Sequence, residues 1–539
     1  MEGRCFHIPY EDTRRFSRLL IDYVQQAEKL KPYMAFSPDI DGLQQAIEER
    51  KNKSVNRSVL VETMLKQYNH LLSDEDIALQ IQQIHLLRND NTFTITTGQQ
   101  TGIFLGPLYT LLKAITVIKL SRQLKAQLPK YDFVPVFWLA SEDHDKEEIN
   151  HLWIRDQKFV WQTEQEGAVG QFKTEGLSDL VCEVTNFLGK GNFHTELIKI
   201  LNKAYSKTTL ADATFYILHC LLSHEGLLVL NPDDADLKKL FIPILHNEVL
   251  EQNSIHALNK QTTYLAQHYS PQITGREINL FYLSESGRSL ISEINSKSAD
   301  REFACVDIHK KWNAKELLNE IDSHPENFSP NVVLRPVYQE TILPNIAYVG
   351  GAAEVAYWMQ LKGVFEANQT FFPVIIPRNS VGFISTNSLR KLDKMNLNPI
   401  DLFKDKNALI KSFLIREKGE QLLLKEEHLK LSELLAGLKL KAETTDITLS
   451  AAAEALHHRW QRELNNFSQK LLRAEKRKEQ DAIRRIDELL GELFPQGKLQ
   501  ERHHTLLSYF IDYGHGFIKM LLQELDPLDG RFVLIELSK

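Results

Sequence analysis

The sequence predicts an α/β protein: an open sheet core with two inserted subdomains and a long C-terminal antiparallel coiled-coil arm. Three observations predict it. Five short runs each end at once in Gly, Pro or charged residues, as buried strands do when ligands bind beyond their carboxyl ends. Helical patterns lie between several of these runs, as in α/β folds. Beyond about residue 407 the leucines fall into heptads over two stretches joined by a short break.

Taken in order, residues 1–90 read as packing helices, with a loop over 31–41 that holds two prolines. Residues 93–97, rich in Thr and Ile, read as the first strand. The chain then breaks at Gly98 into a glycine-spaced turn ending at Gly102, and a helix starts at Pro107 after Gly106. Leu108, Leu111, Leu112, Ile115 and Ile118 give that helix one apolar face. A strand–turn–helix unit of this kind offers backbone N–H groups to an anion. The same glycines also suit a tight turn packed closely for its own sake. The later runs are 131–140, 227–230, 332–334 and 371–376.

The 539 residues are enough for about three structural units. The core spans 1–380, with subdomains inserted at about 151–210 and 250–330. The arm spans 381–495, and a tail over 496–539 packs back on core or arm. In the arm, Leu424, Leu431, Leu435 and Leu438 form one seam. After a break at 443–446, Ser450 reads as an N-cap, and Trp460, Leu464, Phe467, Leu471 and Ala474 form a second seam. The phase slips through the charged run 475–481 and resumes at Ala482. Such seams predict a homodimer.

A net charge of −7 with no basic tail argues against a nucleic-acid binder. No apolar run reaches the ~18 residues of a membrane span, and no signal peptide is read. Four cysteines, with no C-x-x-C pair, fit reduced thiols in the cytoplasm and give no metal ligand set.

Two constellations could carry chemistry. Glu142, Asp143, His144 and Asp145 follow the run 131–140, with Glu148 and Asn150 just beyond. Crowded carboxylates raise a pKa towards general-base use, and a His between two acids is oriented and kept basic. A helix start and a metal site, the latter as in a metal-dependent hydrolase, are the competing readings. The second constellation holds Arg335, Gln339, Glu340, Tyr348, Gly350, Gly351, Glu354, Tyr357 and Trp358. Arg335 could clamp a carboxylate in two places, and the glycine pair opens a helix. The alternative is a structural loop with an ion pair. In the tail, Arg502 among aromatics reads either as a helix folding back or as a nucleotide pocket.

GQQTGIFLGPLYTLLK, PVFWLASEDHDKEEIN, RPVYQETILPNIAYVGGAAEVAYW and GKLQER, in that order, resemble the bacillithiol-biosynthesis cysteine-adding enzyme family over nearly the whole chain. The resemblance implies a Rossmann-like core, a dimerising coiled coil, and a ligase that joins cysteine to the amine of glucosaminyl malate with a nucleotide such as ATP. It implies a catalytic set of Glu142, Asp143, His144 and Asp145. It implies a substrate set of Gly98, Gln99, Gln100, Gly102, Gly106, Lys113, Asn150, Arg335, Gln339, Glu340, Gly350, Gly351, Glu354 and Tyr357. Gln500, Arg502, Tyr509 and Tyr513 are the nucleotide candidates. The chain departs from the family at Ala353, where Gly is frequent; Ala resists positive φ, which would bear on a close backbone approach.

Overall fold

The computed structural model describes residues 3–284, 287–295 and 301–538. It divides into two compact units. One comprises Arg15–Val381 with Gln500–Val533, and the other Met1–Arg14, Gly382–Leu499 and Leu534–Lys539.

The first unit is built on a five-stranded parallel sheet: β1 (Thr92–Gln100), β2 (Asp132–Ala140), β3 (Leu228–Leu230), β4 (Asn345–Gly350) and β5 (Val374–Pro377). The strand order is β5-β4-β1-β2-β3. The chain therefore runs outward from β1 on one side, then returns to build β4 and β5 on the other. The order reverses between β1 and β4, and open α/β sheets bind ligands at such a switch point, beyond the strand carboxyl ends. β1 and β2 pair along their whole length, from Thr92↔Asp132 to Gln100↔Ala140. Both are buried on both faces, which is why 131–140 reads as one continuous apolar run. Helix α1 (Tyr109–Gln127) follows β1, and its Leu111, Leu112, Ile115 and Ile118 are each at most 1% exposed. Burying a side chain of this kind stabilises by roughly 1.5–3 kcal/mol.

Three sequence expectations need correction. The strand does not break at Gly98: β1 continues through Gly98, Gln99 and Gln100. Gly98 serves close strand approach, because a Cβ there would lie 3.1 Å from the Trp138 carbonyl oxygen. Positive φ is confined to Gly106 among the three glycines of this stretch, at +65°. The run 332–334 is not a strand. It is a turn leading into α2 (Arg335–Ile342), whose start is set by Pro336 in the first helical turn. The fifth strand is β4 instead. Finally, the N-terminal ninety residues hold a strand, Cys5–Pro9, and a helix, Ile40–Arg50, that begins inside the expected loop.

Between β2 and β3 lie a hairpin (His151–Ile154 with Gln157–Val160) and the helices Leu177–Leu188, His194–Tyr205 and Leu210–Leu222. Between β3 and β4 lie two three-stranded antiparallel sheets. One of them carries Leu280–Ser284, Gly287–Leu290 and Phe328–Pro330. Tail residues 500–533 belong to the unit that contains the parallel sheet.

In the second unit, α3 (Lys425–Thr445) and α4 (Ser450–Lys478) run antiparallel. Glu443 meets Ser450, Lys439 meets Glu454, and the Leu422 carbonyl meets Ser468, so one number rises as the other falls. Ser450 does not cap α4. Its hydroxyl donates to Glu443, while Asp446 caps the short turn before it. The second stretch breaks at Glu479, inside the charged run, and α5 (Gln480–Leu493) resumes with Ala482, Ile486, Leu489 and Leu493 buried.

Candidate active site at the sheet switch point

A cavity of about 500 Å³ opens beyond the carboxyl ends of β1, β2 and β4, within the usual range for ligand sites. Of the expected residues it brings together Gly98, Gln99, Gln100, Lys113, Asp143, Arg335, Gln339, Gly351, Glu354, Tyr357 and Arg502, with Glu148, Tyr348 and Trp358 beside them.

At one part of its wall Lys113, 3% exposed, donates to the Gly98 carbonyl and Gln99 Oε1, both at 2.8 Å, and pairs with Glu354 at 2.5 Å. Burial lowers the ammonium pKa of Lys113, against the pull of Glu354. Glu354 also accepts from the Tyr348 hydroxyl and from the Gly351 N–H at 2.8 Å. Burial, and then the charge of Glu354, keep Tyr348 protonated well above the ordinary phenol range.

Asp143 forms another part. Gln100 Nε2 donates to its Oδ2 at 2.8 Å, and Arg335 and Arg288 each lie 3.7 Å away. Burial alone would raise its carboxyl. Hydrogen bonding to His144 and Gln100 and the two guanidinium charges outweigh that and hold it well below the ordinary carboxylate range. It is a fixed anion and not a proton acceptor.

The rest of the acidic cluster disperses. Glu142 turns inward to Lys238 at 2.6 Å, and Lys238 also pairs with Asp233 at 2.8 Å. Burial raises the Glu142 carboxyl, which lies in a buried ion pair away from the cavity. Asp145 caps a short helix, accepting from the Glu148 N–H, and Asn150 ends the same helix. His144 is half exposed and does not line the cavity; its Nδ1 sits 3.1 Å from Arg288 Nη1 and 3.6 Å from Asp143 Oδ1. Glu142 and Asp145 turn to separate partners, Asp143 and His144 share Arg288, and the four do not form one ligand set. Among the described residues no three His, Cys, Asp or Glu side chains converge as a metal site.

The backbone is also less available than the glycines imply. The N–H groups of Gly102, Leu105, Gly106 and Leu108 all donate to carbonyl oxygens, Phe104 donates to the Tyr205 hydroxyl, and Gly351 to Glu354. Charge recognition here rests on side chains. Gly102, Gly106 and Gly350 shape the backbone without lining the cavity, and Glu340 is fully buried one hydrogen bond behind Gln339. Of the nucleotide candidates, Arg502 reaches the cavity. Gln500 is buried, Tyr509 stacks on Phe517 at 4.7 Å and bonds His504, and neither these two nor Tyr513 lines it. Sequence reasoning missed Tyr109, Trp138, Arg378 and Arg288. Arg378 had a signal, as the first charged residue after the 371–376 run. Its guanidinium donates to the buried Glu501 at 2.7 Å.

A family model described as "Bacillithiol biosynthesis BshC, N-terminal Rossmann-like domain" matches residues 1–379, and one for the "C-terminal coiled-coil domain" matches 381–537. The chain belongs to the bacillithiol-biosynthesis BshC family. Relatives described as "Putative cysteine ligase BshC" come from Cytophaga hutchinsonii (38% identical over 522 residues, 96% of each chain) and Flavobacterium johnsoniae (37% over 538 residues, 98% of this chain and 99% of that one). A more distant one from Bacillus cytotoxicus is 26% identical over 532 residues, covering 96% and 97%. The parallel sheet is the Rossmann-like core of the BshC family, and the antiparallel helices are its coiled coil. The departure at Ala353 carries no strain, since it sits in the helix Ala352–Trp358 without positive φ. No helix among the described residues is long and apolar enough to cross a membrane.

Proposed function

We propose that this chain is a cysteine ligase that joins the carboxyl carbon of cysteine to the amine of glucosaminyl malate, completing bacillithiol, and that the switch-point cavity is its substrate site. The observation that carries this is a polar cavity in which two guanidinium groups remain open to a ligand. Arg335 is too far from Asp143 for a hydrogen bond and is 26% exposed, and Arg502 is exposed. Two carboxylates of a malate group match such a pair. Gln99, Gln100 and Gln339 suit sugar hydroxyls.

Amide formation makes one C–N bond, breaks a C–O bond of the activated carboxyl and takes two protons from the attacking ammonium, one to a base before attack and one as the leaving group departs. Three carboxylates line the cavity. Asp143 and Glu354 are engaged by cations, whereas Glu148 is exposed and in no ion pair among the described residues. We assign Glu148 as proton acceptor. A nucleotide such as ATP supplies the activation in this reading. Four free cysteines support a reducing, cytoplasmic setting.

The test is a mass-spectrometric product assay with cysteine, glucosaminyl malate and a panel of nucleotides. Nucleotide-dependent appearance of the bacillithiol mass is expected; no product with any nucleotide would overturn the assignment.

A further inference from the structure

The amide of Gln339 lines the cavity and could in principle face it with oxygen or nitrogen. Glu340 removes the choice. Its side chain is fully buried, and its Oε1 accepts from Gln339 Nε2 at 2.9 Å and from Asn345 Nδ2 at 2.8 Å. A carboxylate only accepts, so both amides must turn their nitrogens to it. Asn345 then presents Oδ1 to two donors on β1, the hydroxyls of Thr94 at 3.2 Å and Thr96 at 2.8 Å. The whole chain of bonds has one direction, set by one buried anion.

We propose that Glu340 is a positioning residue that locks Gln339 with its amide oxygen available to the substrate as an acceptor, selecting for a donor such as a hydroxyl or ammonium of an amino sugar. This rests on the substrate site proposed above.

The groups packed around Glu340 fit the role. Arg50, from the helix Ile40–Arg50, donates to the carbonyl oxygens of Glu340 and Leu343 at 3.1 and 2.6 Å and lies 5.2 Å from the Phe371 ring. Gln339, Asn345, Thr94 and Thr96 carry no titrating charge. Burial raises the Glu340 carboxyl to about 7, with Arg50 the main opposing charge. Its Oε2 has no hydrogen-bond partner among the described residues, and once protonated Glu340 can donate as well as accept, so it no longer dictates a single direction for the Gln339 amide. The orientation therefore holds above about pH 7 and loosens as pH falls through it.

Glu340→Gln and Gln339→Met test this in the full chain. Infrared pH titration without substrate should show a protonated-carboxyl band with a midpoint near 7, lost in E340Q. An amide band assigned to Gln339 by its loss in Q339M should shift with the same midpoint. In the product assay, wild-type kcat/KM for glucosaminyl malate should fall as pH drops through that midpoint. E340Q and Q339M should raise KM by about tenfold, the scale of one hydrogen bond, with kcat little changed and this acid limb gone. Unchanged KM in both variants, or a Gln339 band that ignores Glu340 protonation, overturns the proposal. If E340Q does not fold, Q339M decides by KM. If the wild type makes no product, the ligase reading fails, while the infrared coupling still reads Glu340 and Gln339 directly.

Discussion

The Oδ2 atom of Asp143 lies 3.7 Å from the guanidinium of Arg335 and takes a 2.8 Å hydrogen bond from Gln100. Its Oδ1 lies 3.7 Å from Arg288, which comes from a strand inserted between β3 and β4. One carboxylate thus stands between two guanidinium groups. It holds Arg335 by charge at a distance that leaves the forked donors for a ligand.

Arg335→Lys should therefore weaken glucosaminyl malate binding while leaving the fold intact. Lysine keeps the charge but loses the fork that grips a carboxylate in two places. The loss should be on the order of 1–3 kcal/mol, as for a charge-assisted hydrogen bond. Calorimetry and a melting curve check this; unchanged affinity would place Arg335 outside the malate site.

Asp143→Asn should destabilise in a pH-dependent way. The wild-type carboxyl is held below its unfolded value of ~3.9, so its contribution is present above that value and is lost as pH falls through the ordinary carboxylate range and below. The stability gap between wild type and variant should be widest near neutral pH, on the order of 1–3 kcal/mol for unpaired buried donors. It should narrow in acid. Denaturant unfolding over a pH series measures it, and a gap constant with pH would mean that Asp143 contributes no charge-dependent stability.

What could be read in the sequence follows the range of the forces. The run that became β2 was legible because a strand buried on both faces is apolar without interruption. β4 was not. Ile346 to Val349 and Val332 to Leu334 look alike locally, and Pro336, by starting a helix, decides which of them pairs with β1. The site residues on β1, α1 and the second motif were found because strand ends and helix starts are local signals. The roles of the acidic cluster were not, since consecutive side chains point to different neighbours. Lys238 and Arg288, which sort Glu142 from Asp143, arrive from about 95 and 145 residues away.

The arm should hold two copies of the chain together. Leu434, Leu438, Leu440, Trp460 and Phe467 are each at least 42% exposed on α3 and α4, although Trp460 and Phe467 belong to the heptad seam. Apolar surface of that extent on charged helices is suited to a second arm. Trp460→Ser with Phe467→Ser should convert a dimer to a monomer with helix content unchanged. Light scattering that finds the double variant still dimeric, or the wild type monomeric, would refute the arm as the dimer contact.

Glu148 and His144 make opposed predictions, four residues apart. Glu148 lines the cavity, is exposed and lies in no ion pair among the described residues, so it can receive the ammonium proton. His144 lies outside the lining, and its Nδ1 already faces the Arg288 guanidinium. Glu148→Gln keeps the size and the hydrogen-bonding reach but removes the proton acceptor. Product formation should fall by roughly 10²-fold or more, the usual scale for general acid–base help. KM should change little, because the amide can still meet the substrate amine. His144→Asn should stay well within that factor, since Arg288 keeps its bonds to Ser329 and the Pro330 carbonyl and its place beside Asp143. Neither change should move the melting temperature much, as both side chains are exposed. Equal, near-normal turnover in both variants would leave the proton acceptor elsewhere in the cavity. A collapse in His144→Asn alone would return the base to the acidic cluster.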